Sequence, residues 1–384
     1  YILMYNFTPI PSWTELTFGL FSSTSKTKQT MSPWSKHENQ VFWFSNGASI
    51  LDYVVNLHAT KTKSTNTVIW LPDYFCNSAL QLVRKRQVSV KFYPINSMFD
   101  PEWDICEDMI ENICAPDIFV LVHYFGRLAN VSRAAKFCCK HQVMLLEDSA
   151  HVLFPHGEMG SYGDGIFYCP HKVLPAPDGA ILSGSILSSS PALKTAPFPA
   201  TWLLKKFAQQ ILPPSVLRYR TQALPDFWTD RKSLESPAIT AISSIGYNMI
   251  SMNVNRLRTI GETRKEAAAK WRDAFLPHND LCSAALSIEE EGPAPYRFVL
   301  RFKDAEAASN IFAALRVEGV AVESWPDLPP SVKGNEPTHH IACELRKTLL
   351  FLPIFNPLPP SLSSLVDSCV QNCRRRGLPF SSPM

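Results

Sequence analysis

Between residues 68 and 148 the chain alternates short, mostly apolar runs with amphipathic ones, and few folds tolerate that rhythm. The spacing predicts strands at Val68–Leu71, Val88–Tyr93, Ile118–Tyr124 and Val143–Leu146. Helices are expected at Asn77–Arg86, Trp103–Ile113 and Val131–His141. Strands that are apolar throughout are covered on both faces, and strands separated by helices pair in parallel. The expected fold class is therefore α/β, with a mostly parallel central sheet flanked by helices. Ligands of such sheets bind beyond the carboxyl ends of the strands. That directs attention to Asp73–Cys76, His123–Gly126, Glu147–His151 and Cys169–Lys172.

A chain of 384 residues, 46% apolar and 18% charged, is long enough for two domains and has the composition of a globular protein. A net charge of +3 with no basic stripe gives no case for nucleic acid, and Arg374-Arg375-Arg376 reads as a solvated helix end. No apolar run reaches the roughly 18 residues of a membrane span. Ten unevenly spaced cysteines without paired C-x-x-C units predict no zinc site. They read as reduced core thiols of an intracellular, cytoplasmic protein. Residues 1–34, rich in Ser, Thr and Pro, read as an N-terminal extension without the order of a signal peptide, with Met31 a candidate natural start.

Val41–Phe44 is a short apolar entry into Ser45-Asn46-Gly47 and then a helical period to Val55. Small residues at a helix start leave backbone N–H groups open to an anion, although an ordinary N-cap would use the same residues. Further on, strands Ile166–Cys169 and Ala180–Leu182 flank a proline-bounded turn that carries Lys172. A lone lysine is usually a solvated surface residue; held in a partly dry pocket, its amine can form a Schiff base. Residues 185–235 read as a crossover and linker with one amphipathic piece, Trp202–Leu212, more simply a packed surface helix than a membrane-surface one. A long helical region, Ile250–Phe275, leads into a second α/β unit. Its strands are expected at Tyr296–Phe302, Val320–Ser324 and Leu349–Leu352, and its helices at Ala305–Glu318 and Leu362–Arg375. The chain thus divides into an extension (1–34), a large domain (35–235) and a small C-terminal domain (236–384).

In order and spacing, these strand ends resemble the DegT/StrS-like family of pyridoxal-phosphate sugar aminotransferases, of fold type I. The matching text is Ser45-Asn-Gly-Ala-Ser49, Leu71-Pro-Asp-Tyr-Phe-Cys76, Val122-His-Tyr-Phe-Gly126, Glu147-Asp-Ser-Ala-His151, Gly163-Asp164, and Lys172 with Pro177-Asp-Gly179. A weaker likeness continues through Ala294–Phe298, Trp325–Pro330 and Leu350–Pro353. The resemblance implies pyridoxal 5′-phosphate as cofactor and Lys172 as the lysine that forms the internal aldimine and carries the proton. An amine with that task should titrate well below a free lysine. Asp148 is implied to pair with the pyridine nitrogen, a place where a helix N-cap would also suit it. His151 would bond the ring hydroxyl or cover the ring, although a lone histidine is more often structural. Gly47 and Ala48 would hold the phosphate, and Cys76 or its neighbour Phe75 would lie over the ring face.

The sequence departs from the family at several points. Phe167 stands where many relatives have a phosphate-binding serine, leaving Cys169 as a weaker substitute. Ala48 lacks a usual hydroxyl, and Ala180 replaces a usual glycine. His171 beside Lys172 matters because the family's dehydratase branch carries histidine in place of the lysine. The resemblance further implies small-molecule substrates (an amino donor such as glutamate and a nucleotide-linked keto-sugar), a homodimer, and sugar selection by residues 185–235 and Trp325. Asn248 has the local look of the asparagine that relatives lend to a partner's phosphate site. Dehydration or elimination on the same fold, and a non-catalytic cofactor-binding relative, are the alternative readings.

Overall fold

The computed structural model describes residues 8–22, 32–35, 41–187, 191–212, 227–228, 239–289, 291–355 and 358–375. Met31, Arg376 and much of the expected linker (188–190, 213–226 and 229–235) lie outside them.

Seven strands form the larger sheet: β1 (Val41–Phe44), β2 (Thr67–Pro72), β3 (Val88–Tyr93), β4 (Ile118–Val122), β5 (Met144–Ser149), β6 (Gly165–Tyr168) and β7 (Ala180–Gly184). Their order is β1-β7-β6-β5-β4-β2-β3. The run from β6 to β3 is parallel, and β7 and β1 close one edge antiparallel. Strands β4, β6 and β7 are buried along their whole length, which is why they read as unbroken apolar runs. One face packs against α2 (Gly47–Thr62), α3 (Trp103–Asn112) and α4 (Val131–His141). The other packs against α6 (Ser244–Asn253), together with Trp34, Leu153 and Val173.

A smaller antiparallel sheet, in the order β10-β9-β8, is built from β8 (Cys282–Ala284), β9 (Phe298–Phe302) and β10 (Leu349–Leu352). Its core is filled from α7 (Leu257–Phe275), α8 (Ala305–Val317) and α10 (Leu362–Arg375). The expected piece near 202–212 is helix α5 (Ala200–Ile211). Helix α9 (His340–Thr348) and strand β8 have no counterpart in the sequence reading.

Several elements differ from expectation for identifiable reasons. Asn77–Arg86 is two 3-10 turns, Asn77–Leu80 and Val83–Lys85, rather than a helix. Leu80, Leu82 and Val83 are all buried there. Strand β4 stops at Val122, because Tyr124–Gly126 turns sharply, with Phe125 at φ 56 and Gly126 at φ 94. Strand β5 begins one residue late, since Val143 N–H still closes α4 on Cys138 O, and it runs on to Ser149. The long helix is broken at Val254–Arg256, where the Asn253 side chain turns back onto Met249 O. Val320–Ser324 forms no strand: Val320 and Val322 donate locally, and only Glu323 pairs with Phe351.

The extension is not wholly irregular. Helix α1 (Trp13–Phe21) starts in a capping box between Ser12 and Glu15 and packs along α6. Asn248 on α6 donates to Gly19 O (3.2 Å) and Ser22 O (2.6 Å), so its amide serves the C-terminal end of α1 within the same chain. Among the cysteines, Cys139 is exposed and Cys76 and Cys114 are half-buried, so these three are not core thiols.

Candidate active site

Strands β5 and β6 lie side by side, with Asp148 opposite Phe167. Asp148 therefore points from within a strand, and the N-cap alternative fails. It is 7% exposed; its Oδ1 accepts from Ala150 N–H at 2.9 Å, and no hydrogen bond from the described residues reaches Oδ2. Burial raises its pKa, against an opposing pull from Lys172. Beneath it a fully buried pair braces the strand ends: His123 Nε2 meets Glu147 Oε2 at 2.9 Å, while His123 Nδ1 accepts from Ala129 N–H. Acceptance at Nδ1 puts the proton on Nε2, which donates to the carboxylate.

Lys172 ends the 3-10 turn Pro170–Lys172 just past β6 and is half-buried. Its Nζ makes no hydrogen bond or ion pair among the described residues. Burial alone would lower its pKa, but Cys169, Tyr296, Asp148 and Cys76 together hold it above the ordinary lysine value. This corrects the expected downward shift. Burial pushes the Cys169 and Cys76 thiols up to about 12 and about 11, so neither is charged at neutral pH. The neighbouring carboxylate that balances the amine there is Asp148. Next to it, His171 Nδ1–H donates to Gly179 O at 2.7 Å, and burial holds the imidazole down near pKa 4. The ring beside the lysine is thus committed to its own loop.

His151 is half-buried, with its Nδ1 3.4 Å from the donating Phe125 N–H. Burial and Lys172 keep it neutral, so Nε2 carries the proton and can donate. Its ring stacks on Tyr296 at 4.3 Å and 4°. Trp325 meets His151 edge-on at 6.2 Å and stacks on Tyr74 at 4.3 Å. Gly47 opens α2, whose cap is Asn46 accepting from Ser49 N–H at 2.9 Å. A Cβ on Gly47 would lie 3.0 Å from Cys169 Sγ and 3.2 Å from the Phe167 ring. Ala48 follows in the same first turn. Cys76 contacts Asp327 and Ser78 and lies within electrostatic reach of Lys172, while Phe75 is packed in the core of the larger sheet.

The model of the DegT/DnrJ/EryC1/StrS aminotransferase family matches residues 36–169. Solved structures extend the likeness in fold to nearly the whole chain. The aminotransferase TlmJ from Streptoalloteichus hindustanus is 18% identical, with TM-score 0.69 over 97% of this chain and 99% of that one. Helicobacter pylori PseC, an aminotransferase involved in the biosynthesis of pseudoaminic acid, is 13% identical, with TM-score 0.66 over 97% and 100%. The PLP form of the putative sugar aminotransferase Spr1654 from Streptococcus pneumoniae is 14% identical, with TM-score 0.68 over 96% and 98%. No curated protein matches the sequence.

The fold is that of the fold type I pyridoxal-phosphate aminotransferases, and transamination with pyridoxal 5′-phosphate is the chemistry of the DegT/DnrJ/EryC1/StrS family. The residues present fit that group. Among the described residues, Asp148 Oδ2 and Lys172 Nζ make no hydrogen bond, and the His151 Nε2–H is free to donate. Gly47 leaves a helix start that any side chain would crowd. Ala48 and Phe167 bring no side-chain hydroxyl to the start of α2, so an anion there would have to be held by backbone N–H groups. Neither Tyr296 nor Arg264 is among the site residues expected from the sequence; the weak likeness around Ala294–Phe298 includes Tyr296, and Arg264 has no such signal.

Proposed function

We propose that this chain is a pyridoxal-phosphate aminotransferase that moves an amino group from an amino-acid donor, glutamate in the first instance, to a nucleotide-linked keto-sugar. The observation that carries the reading is that the Lys172 amine and the Asp148 carboxylate lie close enough for each to shift the other's pKa, while Lys172 Nζ and Asp148 Oδ2 make no hydrogen bond among the described residues. When bound, the cofactor supplies the electron sink that makes a carbon acid of the amino donor. Asp148 would hold the proton on the ring nitrogen. Lys172 Nζ would take the proton from the donor's Cα and return it on the other side of the exchange. His151 Nε2–H would donate to the ring hydroxyl, and the Gly47 and Ala48 N–H groups would hold the phosphate. Cys76, rather than Phe75, would face the ring.

In this reading residues 35–235 form the cofactor-binding unit and 236–384 the smaller one. The enzyme works in the cytoplasm as a homodimer, and Trp325 helps select the sugar. The bond from His171 to Gly179 O disfavours the dehydratase alternative, because it leaves Lys172 to face the site. The test is the visible absorbance of the purified holoenzyme. Loss of the band on adding glutamate, its recovery with a keto-sugar acceptor, and loss of both band and turnover in Lys172→Ala support the proposal. A band indifferent to glutamate but altered by a sugar nucleotide would favour dehydration. A Lys172→Ala protein that keeps colour and full turnover would overturn the site.

A further inference from the structure

Arg264 lies on α7, in the C-terminal part of the chain, yet its side chain reaches the turn that carries Lys172. It is 1% exposed and has no carboxylate partner among the described residues. Its guanidinium instead serves three backbone carbonyls. One Nη donates to Val173 O at 2.9 Å, and the other to Pro295 O and Tyr296 O at 3.2 Å each. Burial and the facing Arg297 cation pull its pKa down to about 9, opposed by Tyr296. Leaving a buried arginine without a counter-charge is costly, and a neutral residue of similar size would avoid that cost. What the arginine offers in exchange is a planar fork that fixes several acceptors at once.

Those acceptors belong to two separate segments, the turn that carries Lys172 and the stretch that carries Tyr296. Val173 follows Lys172 directly, and the hydrogen bonds of the turn, from Lys172 N–H to Cys169 O and from Val173 N–H to Pro170 O, do not use its carbonyl. Tyr296 is the ring stacked on His151, and its N–H is bonded to Phe125 O. We propose that Arg264 is a positioning residue: it sets the separation between the Lys172 amine and the His151–Tyr296 wall by clamping the carbonyls of Val173 and Tyr296 onto one guanidinium. It touches neither cofactor nor substrate. The inference rests on the transaminase reading only for its kinetic consequence, because the clamp itself belongs to the chain.

The experiment compares Arg264→Met and Arg264→Lys in the full chain with Trp271→Phe. Trp271 lies on the same helix and is bonded to Pro353 O, away from the site, so it reports the cost of loosening α7 alone. In the cofactor-free protein, amide hydrogen exchange of His171–Leu174 and of Tyr296 and Arg297 should accelerate together in Arg264→Met, by about tenfold or more, and should not in Trp271→Phe. In the holoenzyme, kcat should fall about tenfold to a hundredfold while KM for the amino donor stays within about threefold, since geometry rather than binding is lost. Arg264→Lys should fall between, keeping a charge but not the fork. Acceleration in neither or only one of the two segments, or a kcat loss no larger than that of Trp271→Phe, would overturn the clamp. If Arg264→Met does not fold, Arg264→Lys decides by the same two readouts: wild-type exchange and kcat would refute it. A protein without transaminase activity that still shows paired acceleration would refute the functional reading and leave the clamp standing.

Discussion

Replacing Gly47 by alanine would place a Cβ 3.0 Å from Cys169 Sγ and 3.2 Å from the Phe167 ring. Neither neighbour gives way cheaply. Cys169 is fully buried between β6 and the lysine turn, and Phe167 is buried inside β6. Overpacking of this kind costs about 1–3 kcal/mol. Alanine gains up to about 1 kcal/mol over glycine in a helix, so Gly47→Ala should lose about 1 kcal/mol net. The clash is shared with one sulfur atom, so Cys169→Ala should relieve part of it, and the two substitutions should couple by about 1 kcal/mol. On the proposed reading the helix start holds the cofactor phosphate, so Gly47→Ala should weaken cofactor binding about tenfold, and Cys169→Ala should restore part of that loss. Urea denaturation of the cofactor-free protein and a cofactor titration would measure both. Additivity of the two substitutions within about 0.3 kcal/mol, with unchanged cofactor affinity in Gly47→Ala, would refute the argument that Gly47 is needed for space beside Cys169.

Two pH effects follow from buried groups. Burial raises the Asp148 pKa, so between its unfolded value of about 3.9 and its folded one the native protein keeps a proton that the unfolded chain has released. Its contribution to stability therefore declines as pH rises through that window. The stability of wild type relative to Asp148→Asn should decline with it, measured by denaturation from pH 3 to 7, while turnover of the variant drops. His171 behaves oppositely: held near 4, it resists protonation in the native state, so stability is lost as pH falls from about 6.5 to 4. His171→Asn should remove up to about 3 kcal/mol of that acid sensitivity and keep transaminase activity, because the imidazole bonds only its own loop.

The parallel sheet was legible because most of its strands carry short apolar runs, and β4 at its centre is apolar and buried along its whole length, a pattern that survives without knowledge of any partner; β3, with Ser89 and Lys91, is only half-buried. The site was legible where it sits on those strands: Asp148, Cys169 and Lys172 follow from strand ends. Elements whose form depends on distant contacts were not. The turns at Asn77–Lys85 are shaped by Asp327, which bonds the Asn77 N–H from 250 residues away. Helix α1 has the local Ser12–Glu15 signal, but its place is set by Asn248 and by Glu15 accepting from Asn253. Tyr296 and Arg264 act through stacking and backbone carbonyls, and neither leaves a spacing that sequence reading could detect.

The side-by-side pairing of β5 with β6 sets Asp148 opposite Phe167, and the short turn after β6 carries Lys172, so ladder rungs and that turn, not the number of residues between acid and amine, set their distance. The segment from Ala150 to Asp164 can then grow or shrink in distant homologues without changing that distance. A search keyed to a constant gap between aspartate and lysine would overlook such homologues, whereas one that aligns the two ribbons first and ignores the excursion would retrieve them.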